Sequence, residues 1–209
     1  MFKNINKVVR TLVIADFFYN SAFASFGPVF AIFIVGGVGN GSAKVVGFSV
    51  ACFWIVKSLV QLPIARFLDK TDGEHDDFWA MFLGYFFSSF IPVAYLLARE
   101  PWHLYLIQSI YGFIMAWAVP GWYAIFTRHV DKWRISFEWS LESVFSVGLA
   151  AATAAALGGY IADTFGFEIL FIGASIVSLL ASLMLLILRK HLFPKRGGYD
   201  RVLPESYHR

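Results

Sequence analysis

The sequence predicts an all-α membrane protein, a bundle of six transmembrane helices joined by short loops. Hydrophobic residues make up 58% of the 209-residue chain, charged residues only 15%, and the mean hydropathy is +0.65. Soluble domains average about 25% charged residues, so this composition argues against a globular domain in water. The apolar residues also fall into six runs, each near the roughly 20 residues that a helix needs to cross about 30 Å of hydrocarbon.

The six predicted spans follow one another with little sequence between them. They cover residues 8–35, 45–68, 78–98, 104–126, 140–162 and 167–188. The connecting segments contain glycine, proline or charged residues, which favour turns. We expect one transmembrane domain, 1–193, followed by a cytoplasmic tail at 194–209. The first run follows a basic start, as in a signal peptide, but Asp16 and Asn20 interrupt it and it continues to Val35, which favours an uncleaved span.

Lysines and arginines are distributed unevenly between the two sides of this topology. Of the 17 such residues, only Lys44 and Arg99 lie in the predicted outer loops, and Lys57 lies inside a span. The others lie in segments that would face the opposite side. Because basic residues accumulate in cytoplasmic loops, we expect an integral protein of the cytoplasmic (inner) membrane with both termini in the cytoplasm.

The loop between the second and third spans carries a pattern of charges. Ala65 is followed, after three residues, by Asp69 and Lys70. This pattern resembles the first-half signature of the major facilitator superfamily, although residues 72–74 depart from the basic continuation that is usual there. The resemblance implies that Asp69, with Arg66 and Lys70, latches a cytoplasmic gate against a neighbouring helix end. An ordinary charged cytoplasmic turn would show the same Asp-Lys pair.

The fourth span resembles the superfamily's fourth-helix motif. Gln108 stands where the family has an arginine, and Gly112 and Ala116 follow at the spacing of the motif's small residues. The glutamine does not carry over the part in proton-coupled exchange that is proposed for that arginine. Gly112 and Ala116 share a helix face, so we expect them to pack against another helix.

The fifth span is rich in small residues and resembles the glycine-rich motif of family exporters. The paired glycines Gly158 and Gly159 match that motif, but no proline precedes them. Small residues let helix backbones approach closely in lipid, so Gly148, Ala152 and both paired glycines are predicted packing residues. Generic helix packing explains them as well as an exporter signature does.

The resemblance covers nearly the whole chain and implies secondary transport of a small solute by alternating access. The family's usual chain has two six-span halves, related by an axis along the membrane normal, with the substrate between them. This sequence matches one half. We therefore expect a parallel homodimer that rebuilds the twelve-helix arrangement by twofold symmetry.

Polar residues inside the predicted spans are the candidates for a solute cavity. Asp16 and Asn20 share a face of the first helix, and Lys57 and Gln61 share a face of the second. Gln108 is the fifth candidate. A charge at bilayer depth is costly unless it has a partner or faces water, so an Asp16–Lys57 contact is predicted. The resulting near-neutral cavity would suit an anionic or zwitterionic solute; snorkelling by Lys57, or a purely structural ion pair, are the alternatives.

The sequence gives no sign of catalytic or metal chemistry. No nucleophile–base or metal-ligand constellation is present, and Cys52 is the only cysteine. We expect no enzyme activity, no cofactor, no metal and no nucleic-acid partner, since the +3 net charge is concentrated at span ends and in the tail. The expected partners are the lipid bilayer, a small solute and a second copy of the chain. Two other classes stay open: a non-transporting scaffold or assembly protein, and a channel.

Overall fold

The computed structural model describes residues 5–70 and 73–193, and within these ranges all regular structure is helical. The helices are α1 (Lys7–Phe26), α2 (Phe30–Gly37), α3 (Ala43–Leu68), α4 (His75–Ser88), α5 (Ile91–Tyr95), α6 (Pro101–His129), α7 (Ile135–Leu141), α8 (Ala150–Met184) and α9 (Arg189–Leu192). A π-helix (Glu142–Leu149) joins α7 to α8, and a 3-10 helix (Leu185–Leu188) joins α8 to α9. The all-α prediction is confirmed, and the predicted tail at 194–209 lies outside the described residues.

Two of the predicted spans are interrupted near prolines. α1 and α2 meet at a bend of 40° that contains Pro28. Proline has no backbone N–H and its ring clashes with the carbonyl of the preceding turn, which accounts for the bend. The predicted span at 78–98 is likewise divided, because α4 ends at Ser88 and α5 begins at Ile91, just before Pro92. Each of these helix pairs has the length and hydropathy of one membrane crossing.

The last helical segment contains two membrane crossings. Ile135–Leu192 is 58 residues long, which corresponds to about 87 Å of helix, nearly three times the roughly 30 Å of a hydrocarbon core. The backbone leaves the helical conformation at Gly166, with φ 85° and ψ 167°. A residue without a Cβ adopts such a positive φ at little cost. Gly166 therefore divides the segment into a fifth span (135–165) and a sixth span (167–192).

The fifth span runs parallel to α1. Near the start of both elements, the Ser146 hydroxyl lies 2.9 Å from the Val13 carbonyl oxygen. Further along both, the Gly158 backbone lies directly against the Ser25 backbone. Because both residue numbers rise together, the two helices point in the same direction.

The sixth span returns along α1 in the opposite direction. Its early residue Phe171 packs on Phe26, at the far end of α1, with ring centroids 5.4 Å apart. Its late residue Leu188 shares a core with Val8, at the start of α1. By length and composition, four helical segments of the described residues could cross a membrane, or five with the bent α1–α2 pair counted as one. The division of the last segment at Gly166 is compatible with the six predicted spans, whose number stays a prediction.

α1 lies at the centre of the bundle and α3 at its periphery. Residues of α1 contribute to two hydrophobic cores, one toward each end of the bundle. α3 contacts mainly α6, where its Phe53 carbonyl packs against Gly112 and its end packs on Ala116. Only 11% of its most apolar stretch is buried, the lowest share among the candidate crossings. One broad face of α3 is thus left uncovered.

Loop contacts define the two ends of the bundle. At one end, the Asn6 side chain donates to the His129 carbonyl at 3.2 Å, and the His129 ring lies 3.3 Å from the Glu74 carboxylate. At the other, the Gly39 N–H donates to the Arg99 carbonyl at 2.9 Å. We call these the Asn6 end and the Arg99 end. The segments that meet at each end are those that the predicted topology assigns to the same side.

Candidate functional site

A cavity of about 310 Å³ lies between α1, α4, α6 and the beginning of the fifth span. We call it the carboxyl cavity because two acidic side chains lie in its wall. Tyr123 and Val147, which are 51% and 55% exposed, stand at its mouth. Its lining consists of Asp16, Tyr19, Asn20, Tyr85, Met115, Val119, Trp122, Tyr123, Trp139, Glu142, Ser143 and Val147.

Asp16 is held in the cavity wall by tyrosines. Its side chain is only 4% exposed and accepts a hydrogen bond of 3.0 Å from the Tyr85 hydroxyl. The Tyr85 ring stacks on Tyr19 with centroids 4.2 Å apart. The Tyr19 hydroxyl in turn lies 2.7 Å from the Ser88 hydroxyl. This chain of contacts fixes the orientation of the Asp16 carboxyl without giving it a cationic partner.

Glu142 is the second acid of the cavity. It is 6% exposed, and the Ser146 hydroxyl one turn later lies 2.8 Å from its carboxylate. Asp16 and Glu142 both line the cavity, and the Ser146 hydroxyl next to Glu142 also lies 2.9 Å from the Val13 carbonyl oxygen, one turn before Asp16 on α1. Glu142 begins the π-helix, a wide turn that often marks functional positions in helices. The site thus contains two adjoining carboxyls on neighbouring helices.

Sequence reasoning did not select Glu142. It lies near the start of the predicted span at 140–162, where a charged residue is ordinary because span ends reach the membrane surface. In the structure the helix begins earlier, at Ile135, so Glu142 lies inside it. A serine four residues later, on the same face, was the one available signal of an internal polar site.

Aromatic side chains form a second part of the cavity wall. Trp122 and Trp139 meet edge to face with centroids 6.1 Å apart, and Tyr123 lies 6.4 Å from Trp139. Trp122 is 6% exposed. Its Nε1–H is near Asp16 but makes no hydrogen bond of normal geometry with any described residue.

The two charged candidates from the sequence do not meet in this structure. Asn20 lines the carboxyl cavity beside Asp16, as the shared helix face predicts. Lys57 does not line it: its ammonium lies 4.9 Å from the centroid of Trp54 and 5.8 Å from that of Phe53, on its own helix. The described residues include no ion pair between Lys57 and Asp16. α3 packs mainly on α6 and not on α1, so the backbone of Lys57 lies against α6 and its ammonium against the aromatic rings of its own helix.

The two glutamine candidates lie elsewhere. Gln108 is buried within α6, 7% exposed, and does not line the carboxyl cavity. Gln61 lines a separate cavity of about 430 Å³ between α3, α4 and α6, together with Asp69, Asp77 and Arg128.

This separate cavity contains part of the predicted gate. Asp69 lines it, whereas Arg66 and Lys70 are exposed at the end of α3. The paired charges here are Arg128 and Asp77, which sequence reasoning did not select; Asp77 is 3% exposed and Arg128 42% exposed. The Arg128 guanidinium also donates to the Gly73 carbonyl at 3.2 Å. The pair therefore ties α6 to α4 at the Asn6 end.

The predicted packing residues divide into two groups. Gly112, Ala116 and Gly158 lie at tight contacts, and Gly158 has no room for a Cβ because the Ser25 carbonyl occupies that position. The other three lie away from neighbouring helices. A Cβ at Gly148 would meet only its own helix, a Cβ at Gly159 would meet open space, and Ala152 is exposed. The fifth span thus has one buried face and one open face, where an interior position was expected.

A third cavity, of about 470 Å³, lies further along α1 toward the Arg99 end. We call it the apolar cavity, because small and aliphatic side chains of α1, the fifth span and the sixth span line it. Ser21 and Ser25 are its polar residues, and the Ser21 hydroxyl has no partner among the described residues. Within the described ranges no group of three or more His, Cys, Asp or Glu could hold a metal ion.

One comparison with known proteins gives a match. The sequence model of a family described as Major Facilitator Superfamily matches residues 12–201, most of the chain. No curated protein and no solved structure gives a significant match.

Proposed function

Because the chain belongs to the major facilitator superfamily, as its partial motifs predicted, we propose that it carries a small solute through the carboxyl cavity by alternating access. The observation that carries the proposal is the pair of adjoining buried carboxyls, Asp16 and Glu142, in a cavity between transmembrane helices. Membership of the family supports secondary transport in general. The carboxyl cavity is the location that we propose for the solute.

The chemistry of the cavity supports a binding role over a structural one. An ionisable side chain within a transmembrane bundle is costly unless it is paired, and a structural ion pair would satisfy that need. The residues lining the carboxyl cavity include no lysine, arginine or histidine. A cationic solute or protons that enter the cavity would therefore stabilise the Asp16 and Glu142 carboxyls.

The charges at the Asn6 end support a gate. Arg128 and Asp77 join the ends of α6 and α4, and Asp69 of α3 lies beside them. Contacts of this kind form and break as helix ends move apart, which rocking between two arrangements requires. We include Arg66 and Lys70 in the gate because they flank this cluster on the exposed end of α3.

A second copy of the chain is the partner that we propose for the open side of the bundle. The uncovered face of α3 carries Trp54, Leu59 and Leu62, each more than half exposed. The fifth span turns Ala152 and Gly159 outward, which would allow close approach of another helix. A parallel dimer about an axis along the membrane normal would cover these faces and enclose the mouth of the cavity. Crosslinking between copies through cysteines at Leu62 should then occur in nanodiscs that contain two chains; a transporting monomer would contradict the dimer.

Both termini are proposed to lie in the cytoplasm. Single cysteines at Ser42 and Lys70, introduced in a Cys52→Ser background, report on the Arg99 end and the Asn6 end respectively. We expect impermeant reagents to label Lys70→Cys from the cytoplasmic side and Ser42→Cys from the other. Labelling of both from one side would contradict the topology.

Alternating access is tested with a cysteine at the mouth of the cavity. Val147→Cys in the Cys52→Ser background should react with an impermeant thiol reagent from both sides of a proteoliposome membrane. The matched control is Leu180→Cys on the sixth span, which is 61% exposed but does not line the cavity, and which should not react. A scaffold would leave Val147→Cys reactive from one side at most. A channel would give reaction from both sides together with ion conductance.

A further inference from the structure

The carboxyl cavity presents charges of one sign. Asp16 and Glu142 adjoin in its wall, and none of its lining residues carries a basic side chain. Lys57, which the sequence-based hypothesis placed beside Asp16, contacts the Trp54 ring of its own helix and does not line the cavity. The earlier expectation of an anionic or zwitterionic solute depended on Lys57 facing the cavity, and this structure does not meet that condition. A positively charged group is what the wall would attract.

The aromatic wall adds a second requirement. Trp122, Tyr123 and Trp139 line the same cavity as the acids, and the ring centroids of Trp122 and Tyr123 lie 6.1 and 6.4 Å from that of Trp139. The face of an aromatic ring attracts a cation within about 6 Å, and groups of such rings bind alkylated ammonium ions. A hydrated metal ion would make no use of this wall, whereas an organic cation contacts rings and carboxyls together.

An unpaired donor points to an oxygen on the ligand. The Trp122 indole is 6% exposed, and its N–H makes no hydrogen bond of normal geometry among the described residues. A buried N–H left without a partner costs free energy, so a ligand acceptor next to it would be stabilising. The cavity volume, about 310 Å³, is at the lower end of the roughly 300–1,000 Å³ that small-molecule sites occupy.

We propose that the carboxyl cavity binds a small organic cation, an ammonium ion that carries a hydroxyl or carbonyl oxygen close to its charged nitrogen. The nitrogen lies between the Asp16–Glu142 pair and the aromatic wall, and the oxygen accepts from the Trp122 N–H. This inference rests on the proposed transport function and specifies its substrate class.

The first test uses the unmodified protein and therefore does not depend on the folding of a variant. Binding of radiolabelled choline is measured on the purified chain in nanodiscs, with unlabelled competitors. Choline and ethanolamine should compete; 3,3-dimethylbutan-1-ol, the uncharged isostere of choline, and succinate, an anion, should not. Tetramethylammonium, which has the charge but no oxygen, should compete several-fold less well. Failure of both choline and ethanolamine to bind, or equal competition by the neutral isostere, overturns the proposal.

The second test assigns the binding to named residues. Glu142→Gln should weaken choline binding by roughly thirtyfold or more, the usual loss when a buried charged partner is removed. The matched control, Glu168→Gln, changes an exposed acid of the sixth span outside the cavity and should bind as the parent does. Trp122→Phe keeps a ring but removes the N–H, so choline should bind several-fold more weakly while tetramethylammonium is unchanged. An equal loss for both ligands would overturn the assignment of the oxygen to Trp122.

The two proposals fail in different ways. If Val147→Cys shows access from both sides but choline and ethanolamine do not bind, the substrate class is wrong and transport stands. If choline binds but Val147→Cys is accessible from only one side, the binding site stands and transport is wrong.

Discussion

Two cavities lie along the same helix and differ in chemistry far more than in size. The carboxyl cavity takes Asp16, Tyr19 and Asn20 from α1, and the apolar cavity takes Ser21, Ala22 and Ser25 from the following turns. The apolar cavity is the larger, about 470 Å³ against about 310 Å³. A lipid chain or a neighbouring helix can fill an apolar space in a membrane, but neither can neutralise two adjoining carboxyls. Chemistry, and not volume, therefore favours the carboxyl cavity as the proposed solute site.

The largest expected difference in uptake is between variants that remove the charges of the carboxyl cavity and a variant that fills the apolar cavity. The Asp16→Asn, Glu142→Gln double variant should lower choline uptake into proteoliposomes by more than about thirtyfold, because both acids are proposed to contact the cation. Gly173→Leu should leave uptake within about twofold, since a Cβ at Gly173 meets open space in the apolar cavity. Reversal of these outcomes would make the apolar cavity the solute site.

The apolar cavity borders the tight contact between Gly158 and Ser25, and substitutions at Gly158 and its neighbour Gly159 measure how much this contact contributes to stability. Gly158→Ala should destabilise the protein by roughly 1–3 kcal/mol, because the new Cβ overlaps the Ser25 carbonyl. Gly159→Ala should change stability by less than about 0.5 kcal/mol, since a Cβ there meets nothing. Thermal unfolding in detergent measures both. Equal stability of the two variants would show that the fifth span does not approach α1 as described.

The gate is expected to control access to the carboxyl cavity and not to the apolar one. Arg128→Gln removes the partner of the buried Asp77, so the two access states should shift by about fivefold, or ~1 kcal/mol. The labelling rates of Val147→Cys from the two sides report this shift. Lys132→Gln, at an exposed position of the same end, is the matched control and should leave the rates unchanged. Unchanged rates in Arg128→Gln would remove this pair from the gate.

Lys57 gives the smallest expected effect. The sequence-based hypothesis predicts that Lys57→Met abolishes uptake, whereas its position against Trp54 predicts less than about a twofold change. The measurement is choline uptake at equal amounts of inserted protein. Loss of uptake would indicate that Lys57 faces the cavity in another conformational state, where it pairs with Asp16 as the sequence predicts.

The order of the apolar helices along the chain was predictable from sequence because hydropathy records which segments are long and apolar enough to cross a membrane. The division of the last segment at Gly166 falls in the predicted loop between the fifth and sixth spans. The assignment of Asp16 and Asn20 to one helix face also predicts their common place in one cavity. These features depend on composition and on local geometry alone.

The rotation of each helix about its axis was not predictable. A helix that is apolar on all sides has no polar face to fix its orientation, so Lys57 and Gln61 gave no indication of which neighbour they meet. Packing decides this, as where Gly112 admits the Phe53 backbone and thereby sets the rotation of α3. Glu142 was missed for the same reason, because its importance depends on contacts between helices distant in sequence.

The π-helix determines the angle, around the axis of the fifth span, between the residues that line the two cavities. Apart from Leu141, the buried positions of the fifth span recur at every fourth residue: Glu138, Glu142, Ser146, Ala150, Ala154, Gly158 and Ala162. In an α-helix of 3.6 residues per turn, such a stripe drifts by about 40° at each step and would wind off α1. The wider turns of Glu142–Leu149 drift the other way and offset part of this rotation. A change of helical pitch in this stretch would rotate Glu142 relative to Gly158 about the helix axis. The acid of the carboxyl cavity and the helix contact that borders the apolar cavity would then move together.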